Sequence, residues 1–191
     1  IMMQNITFVN GIFDDGGAIT ATYCSNVQII DCTFTNNTAS QLGGAIMFTL
    51  VDVDVINSTF TNNKAINDGG AIGWIGRDVK IEGCIFTNNT AEDYGGAINN
   101  VNGEMTITNT DFTQNTAIYG GAIENRYYLT IHNSRLENNS AVHGGAIDND
   151  LGELVIENTN FTNNTAEDYG GAINNDNGKT TIKNTQFTQN T

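Results

Sequence analysis

The chain has 191 residues, with seven basic against twenty-one acidic side chains and a formal charge of −14. That balance opposes the phosphate attraction that dominates nucleic-acid binding and the pull of anionic lipid on polybasic segments, so neither is expected as a partner. There is no run of about eighteen apolar residues, so no membrane-spanning helix and no direct insertion of this segment are expected.

One pattern repeats from end to end. The word GGAI begins at Gly16, Gly43, Gly69, Gly95, Gly120, Gly144 and Gly170, at spacings of 24 to 27 residues. A period in that range marks solenoids and stacked arrays, so residues 1–191 form a single repeat array. The stretch FTNNTAEDYGGAINN occurs from Phe86 and again, verbatim, from Phe161, three repeats later. The array opens inside a coil and stops at FTQNT, where the next GGAI would follow, so a segment of a longer protein is expected.

Within each repeat the first element is a strand. Apolar residues alternate with polar ones at Val27 and Ile29, Val53 and Val55, Val79 and Ile81, Met105 and Ile107, Leu129 and Ile131, and Leu154 and Ile156, which gives one buried face. A corner follows at Asn5, Asp31, Asn57, Gly83, Asn109, Asn133, Asn158 and Asn184, residue types that accept a left-handed backbone. Next comes a short segment with an inward aromatic, Phe8, Phe34, Phe60, Phe86, Phe112, Leu136, Phe161 and Phe187. A second left-handed corner is expected three residues after it, at Gly11, Asn37, Asn63, Asn89, Asn115, Asn139, Asn164 and Asn190. A small Ala and then GGAI open another strand, after which the repeats diverge.

Stacking such units at the strand spacing of ~4.8 Å lines identical side chains into Asn ladders and aromatic stacks. The fold class is therefore all-β, a right-handed parallel β-helix of about seven coils, each of 24 to 27 residues. The absence of proline fits a chain of central strands. Cys32 and Cys84 share a column two repeats apart, ~10 Å at that spacing and beyond disulfide reach, while Cys24 meets Cys32 only if a loop folds back.

GGAI paired with FxxN, for example GGAI at Gly95 with FTNN at Phe86, resembles the repeat of chlamydial polymorphic outer-membrane proteins. The longer phrase of FTNNTA, GGAI and TI.NT.F is more similar still to adhesin-like surface proteins of methanogenic archaea. The resemblance covers the whole chain. It implies extracellular, cell-surface exposure and attachment without naming a ligand, and the expected reading is a non-catalytic module with a cell-surface glycan or protein ligand and no cofactor.

The residues allow an enzyme reading to be weighed beside this one, because β-helices also carry polysaccharide lyases and glycoside hydrolases. The acids preceding GGAI are Asp14, Asp15, Asp68, Glu92, Asp93, Glu167 and Asp168, and the verbatim copying of Glu92-Asp93 at Glu167-Asp168 marks a solvated corner. His132 and His143 form no nucleophile–base or metal-spaced group, so no metal and no catalytic residue are expected. Sequons at Asn5, Asn36, Asn57, Asn88, Asn138, Asn160 and Asn163 permit glycosylation.

Binding candidates come from columns that vary. The residue before GGAI reads Asp15, Leu42, Asp68, Tyr94, Tyr119, His143 and Tyr169, and the rings of Tyr94, Tyr119 and Tyr169 are candidates to lie against sugar faces. Two residues past the Ile, the column reads Ala21, Phe48, Trp74, Asn100, Asn125, Asn149 and Asn175, either a binding surface at Phe48 and Trp74 or an inward column ending in an Asn ladder. Tyr127, in a divergent loop, completes the candidate set.

Overall fold

The computed structural model describes residues 1–191 and consists of twenty-nine short strands. Strands pair in parallel with the equivalent strand one coil away, as in Phe60↔Phe86↔Phe112 and Ile98↔Ile123↔Ile147. One coil supplies four of them, Val53–Ile56, Thr59–Thr61, Lys64–Ala65 and Ile72–Ile75. The stacked result is two sheets of eight strands, one of seven, and a narrow fourth face split into sheets of four and two. The parallel β-helix expected from the period is the observed fold. On the three wide faces all strands are central except at the two end coils, and on the fourth the gap between Thr90–Ala91 and Ser140–His143 is spanned by single bridges through Thr116, so each coil pairs its backbone with its neighbours.

The aromatic column builds the core. Phe8, Phe34, Phe60, Phe86 and Phe112 stack with centroids 4.7 to 4.8 Å apart and planes within 6° of parallel. Leu136 interrupts the column, and Phe161 resumes it against Phe187. Each buried ring removes a large apolar surface from water, a contribution of roughly 1.5 to 3 kcal/mol. The spacing of the rings is the spacing of the strands that carry them, so packing and backbone pairing enforce the same register.

The first corner adopts the expected conformation, with φ of 48° to 64° from Asn5 through Asn184. The second corner requires a correction. Its left-handed residues are Asn10, Asn36, Asn62, Asn88, Gln114, Asn138, Asn163 and Gln189, one position earlier than expected. The Asn column from Asn37 to Asn190 instead points inward and forms a ladder. Asn115 shows its chemistry: Nδ2 donates to Asn139 Oδ1 and to the Phe86 carbonyl, both at 3.0 Å, while Oδ1 accepts from Asn89 Nδ2 and from the Asn89 amide at 3.0 Å. A second ladder that the sequence reading missed runs through Ser58, Cys84, Thr110, Ser134 and Thr159, each side chain accepting from the amide of the preceding coil. Cys24, Cys32 and Cys84 are all unpaired thiols, and burial pushes Cys84 up to about 11.

The GGAI word has a steric cause. Its first glycine has φ near +64° in every coil, and its second packs flat against the next coil, where a Cβ on Gly96 would collide with the Gly121 carbonyl. This close approach turns the chain tightly enough to hold the residue before GGAI and the strand after it on one longitudinal groove.

Candidate functional site

The column before GGAI is held in register by parallel bridges from Leu42 to Asp68, Tyr94, Tyr119 and His143, and from His143 to Tyr169. Its rings therefore stack: Tyr94 on Tyr119 at 4.9 Å, Tyr119 on His143 at 4.9 Å, His143 on Tyr169 at 5.2 Å. The sequence candidates Tyr94, Tyr119 and Tyr169 are thus brought together, with His143 completing the series. Their mode of contact differs from the expectation. Both faces of Tyr119 and of His143 are covered by neighbouring rings, so the column offers edges and phenol oxygens, and no sugar can slide between rings at this spacing.

Phe48 and Trp74 are fully buried and pack edge to face with centroids 5.7 Å apart. They belong to the core, which corrects their candidacy as a binding surface: the alternation of the strand after GGAI turns their column inward. In later coils that column becomes a ladder in which Asn100, Asn125 and Asn149 each donate from Nδ2 to the next Oδ1 at 2.7 to 2.8 Å. Tyr127 is exposed but lies apart from the stacked column, packing edge-on against Tyr128 at 5.7 Å.

The same alternation points the flanking positions outward. One residue past the Ile stand Asn99, Glu124, Asp148 and Asn174, and three past it stand Val101, Arg126, Asp150 and Asp176. With the aromatic column, Glu124, Arg126, Asp148, Asp150, Asn174 and Asp176 line a groove of about 580 Å³. Sequence reasoning searched the acids before GGAI and missed these. The detectable signal was that both outward columns acquire charge only from the fifth GGAI onward.

Arg126 ties the two walls together. Its guanidinium carbon lies 4.2 Å from the Tyr94 ring centroid, Nε donates to Glu124 Oε1 at 3.1 Å, and Asp150 Oδ2 is 3.8 Å away. The Glu124 side chain is 0% exposed, and its Oε2 receives no hydrogen bond. Burial, followed by the Asp148 charge, pushes its carboxyl up to about 9, so it retains its proton at neutral pH. Asp148, within hydrogen-bonding reach of Glu124, is raised by burial and held down in part by Asn174 Nδ2, which donates to Oδ1 at 2.7 Å. At the head of the groove burial also raises Asp68, opposed by the nearby Arg126. No group of three or more His, Cys, Asp or Glu is arranged to hold a metal ion.

Apart from Asp68, the acids before GGAI fall outside the groove. Glu92 is exposed and pairs with Lys64 at 3.1 Å, and Glu167 and Asp168 are exposed, as expected of a solvated corner. All seven sequon asparagines are exposed. No helix is long and apolar enough to cross a membrane.

Coils that repeat a backbone and concentrate their variable residues along one groove define a parallel β-solenoid with a longitudinal site. The family described as right-handed β-helix region matches residues 18–191, and the chain belongs to that family. No curated protein matches the chain significantly.

Proposed function

We propose that the chain is a non-catalytic, adhesin-like repeat module of an extracellular cell-surface protein, and that its groove grips a glycan. The observation that carries this reading is the four-coil ladder of Tyr94, Tyr119, His143 and Tyr169 running beside a continuous polar row. An open groove along a rod suits an extended polymer, and repeated weak contacts along it add by multivalency. The resemblance of the repeat words to those of methanogen adhesin-like proteins and of polymorphic outer-membrane proteins favours surface exposure, as do the seven exposed sequons. Replacing Tyr94, Tyr119 and Tyr169 together by Ser should lower glycan-array or cell attachment while the circular-dichroism spectrum is unchanged. Full attachment by a folded triple variant removes the column from the binding surface.

A second reading, glycoside hydrolysis, draws on one feature. Asp148 and Asp150 lie two apart on one strand face, so their backbone positions are roughly 6.6 Å apart by strand geometry, a base from which two carboxyls can flank a glycosidic bond as in inverting enzymes. Glu124 and Asp148 do not serve: they are close enough to hydrogen-bond, short of the ~5 Å that a retaining pair keeps. Reducing sugar released from a bound polysaccharide, and lost in Asp148→Asn, decides for hydrolysis.

A further inference from the structure

Arg126 demonstrates the kind of group the groove accommodates. It is a cation seated against a ring and between the carboxyls of Glu124 and Asp150. One and two coils further along, the walls continue without another Lys or Arg, and His143, beside Asp148, is the one further basic side chain. Asp148 and Asn174 follow Glu124, and Asp150 and Asp176 follow Arg126. Neither Asp148 nor Asp176 forms an ion pair, and Asp150 has only the distant contact with Arg126. This end of the groove repeats the surroundings of Arg126 with the cation left out.

A second observation points the same way. Glu124, wholly buried in the groove wall, has an Oε2 that no protein donor reaches. A buried carboxyl oxygen without a donor is costly unless a proton or a cation compensates it. In the free protein the compensation is the proton that burial, with the nearby Asp148 charge, keeps on the Glu124 carboxyl.

We propose that the groove bounded by Tyr119, His143 and Tyr169 on one side and Asp148, Asp150 and Asp176 on the other binds the ammonium groups of an amino-sugar polymer. The proposal rests on the glycan reading above and specifies its substrate class. One ammonium docks at Asp148 and displaces the proton held by Glu124, which leaves to solvent, so that both carboxylates end ionised and facing the cation. Both faces of Tyr119 and of His143 are closed by stacking, so the cation contacts there are to carboxylates and phenol oxygens, while the ring edges form the wall against which the sugar lies. A polymer is favoured over a single amine because the carboxylates recur once per coil, at the ~4.8 Å strand spacing.

The test is calorimetric titration of the 191-residue chain with three oligosaccharides of equal length: a glucosamine oligomer with free amines, its N-acetylated form, and a neutral glucose oligomer. The free-amine oligomer should bind at least about tenfold tighter than the other two, the loss expected for one charge-assisted contact. Titration in two buffers of different ionisation enthalpy should show proton release at neutral pH. Asp148→Asn with Asp150→Asn should abolish the preference, and Asp176→Asn alone should weaken it if that double variant does not fold. Asp54→Asn with Asp78→Asn removes the same charge from another acidic face and should change nothing.

Equal affinity for the amine and neutral oligomers overturns the cation assignment while leaving glycan binding standing. Absence of binding to all three overturns both. Equal weakening by the Asp54 and Asp78 control reduces the effect to general attraction by a chain of formal charge −14. Equally tight binding of oligolysine, lost in the same groove variants, overturns the sugar polymer in favour of a basic peptide.

Discussion

The two halves of the rod share one backbone and differ along a few columns. In the first half the inward column after GGAI is apolar, Phe48 and Trp74, and the column before GGAI is Leu42 and Asp68. In the second half the inward column is Asn100, Asn125 and Asn149, and the other is Tyr94, Tyr119, His143 and Tyr169. Both changes fall at the same coil boundary. There the register slips, with Ile75 pairing to Asn102 past Val101, and Trp74 Nε1 and Asn100 Oδ1 are both left without partners. The columns common to both halves maintain the solenoid. Those that switch together delimit the site, because a ladder of inward amides and a ladder of outward rings each need several consecutive coils to be worth starting.

The division is tested most severely by the shared columns. Phe60→Ala in the first half and Phe112→Ala in the second should each cost about 3 to 5 kcal/mol in denaturant unfolding, since each removes one ring from a continuous stack. A large loss in only one half means that the halves do not share one core.

The inward ladder comes next. Asn115→Ala should cost about 1 to 3 kcal/mol, leaving the Asn89 amide and Nδ2 without their acceptor. Asn115→Gly should cost at least as much, because the position has no left-handed φ for glycine to relieve. One residue earlier the result reverses: Gln114 sits at φ 57°, and Gln114→Gly should be neutral or stabilising by less than about 1 kcal/mol. Comparing urea midpoints of the three variants checks the corrected corner directly.

That pair also shows what the sequence could reveal. The Phe and GGAI columns recur in nearly every coil, and recurrence alone assigned them to core and close approach. The corner was misplaced by one because most repeats write two asparagines in succession, as at Asn36-Asn37, and both residues suit a turn. The discriminating signal was present: the first position admits Gln114 and Gln189, while the second changes only to Gly11, whose amide still donates to Asn37 Oδ1. The groove was half legible. A column of rings is visible at one position in four repeats, whereas Glu124, Arg126, Asp148 and Asp150 occupy outward positions with no residue in common. Only the coil register reveals that they share a wall with the tyrosines.

At the boundary between the halves, Trp74→Phe tests the cost of the mismatch. The change removes an indole N–H that has no acceptor and leaves a smaller ring against Phe48. The two effects oppose one another, so the net change should lie within about 1 kcal/mol, well below the loss for Phe60→Ala. A loss as large as that of Phe60→Ala would show that the indole volume, not the ladder's beginning, governs the junction.

The last effect depends on pH and concerns the charge state of the second half. Glu124 titrates from an ordinary value of 4.5 in the unfolded chain to about 9 in the folded one, raised by burial and by Asp148, with Asp150 adding to the rise and Arg126 opposing it. Between those values the folded state binds the extra proton, so stability falls as pH rises, and the loss is complete once pH exceeds about 9. Glu124→Gln keeps the shape, cannot ionise, and offers an amide N–H toward Asp148. Its unfolding midpoint should match the wild type near pH 5 and exceed it progressively toward pH 9, by about 1 kcal/mol or more. A wild-type stability that rises over this interval in step with the Gln variant would show that Glu124 is ionised throughout, with Arg126 alone sufficient to hold its charge in the wall of the groove.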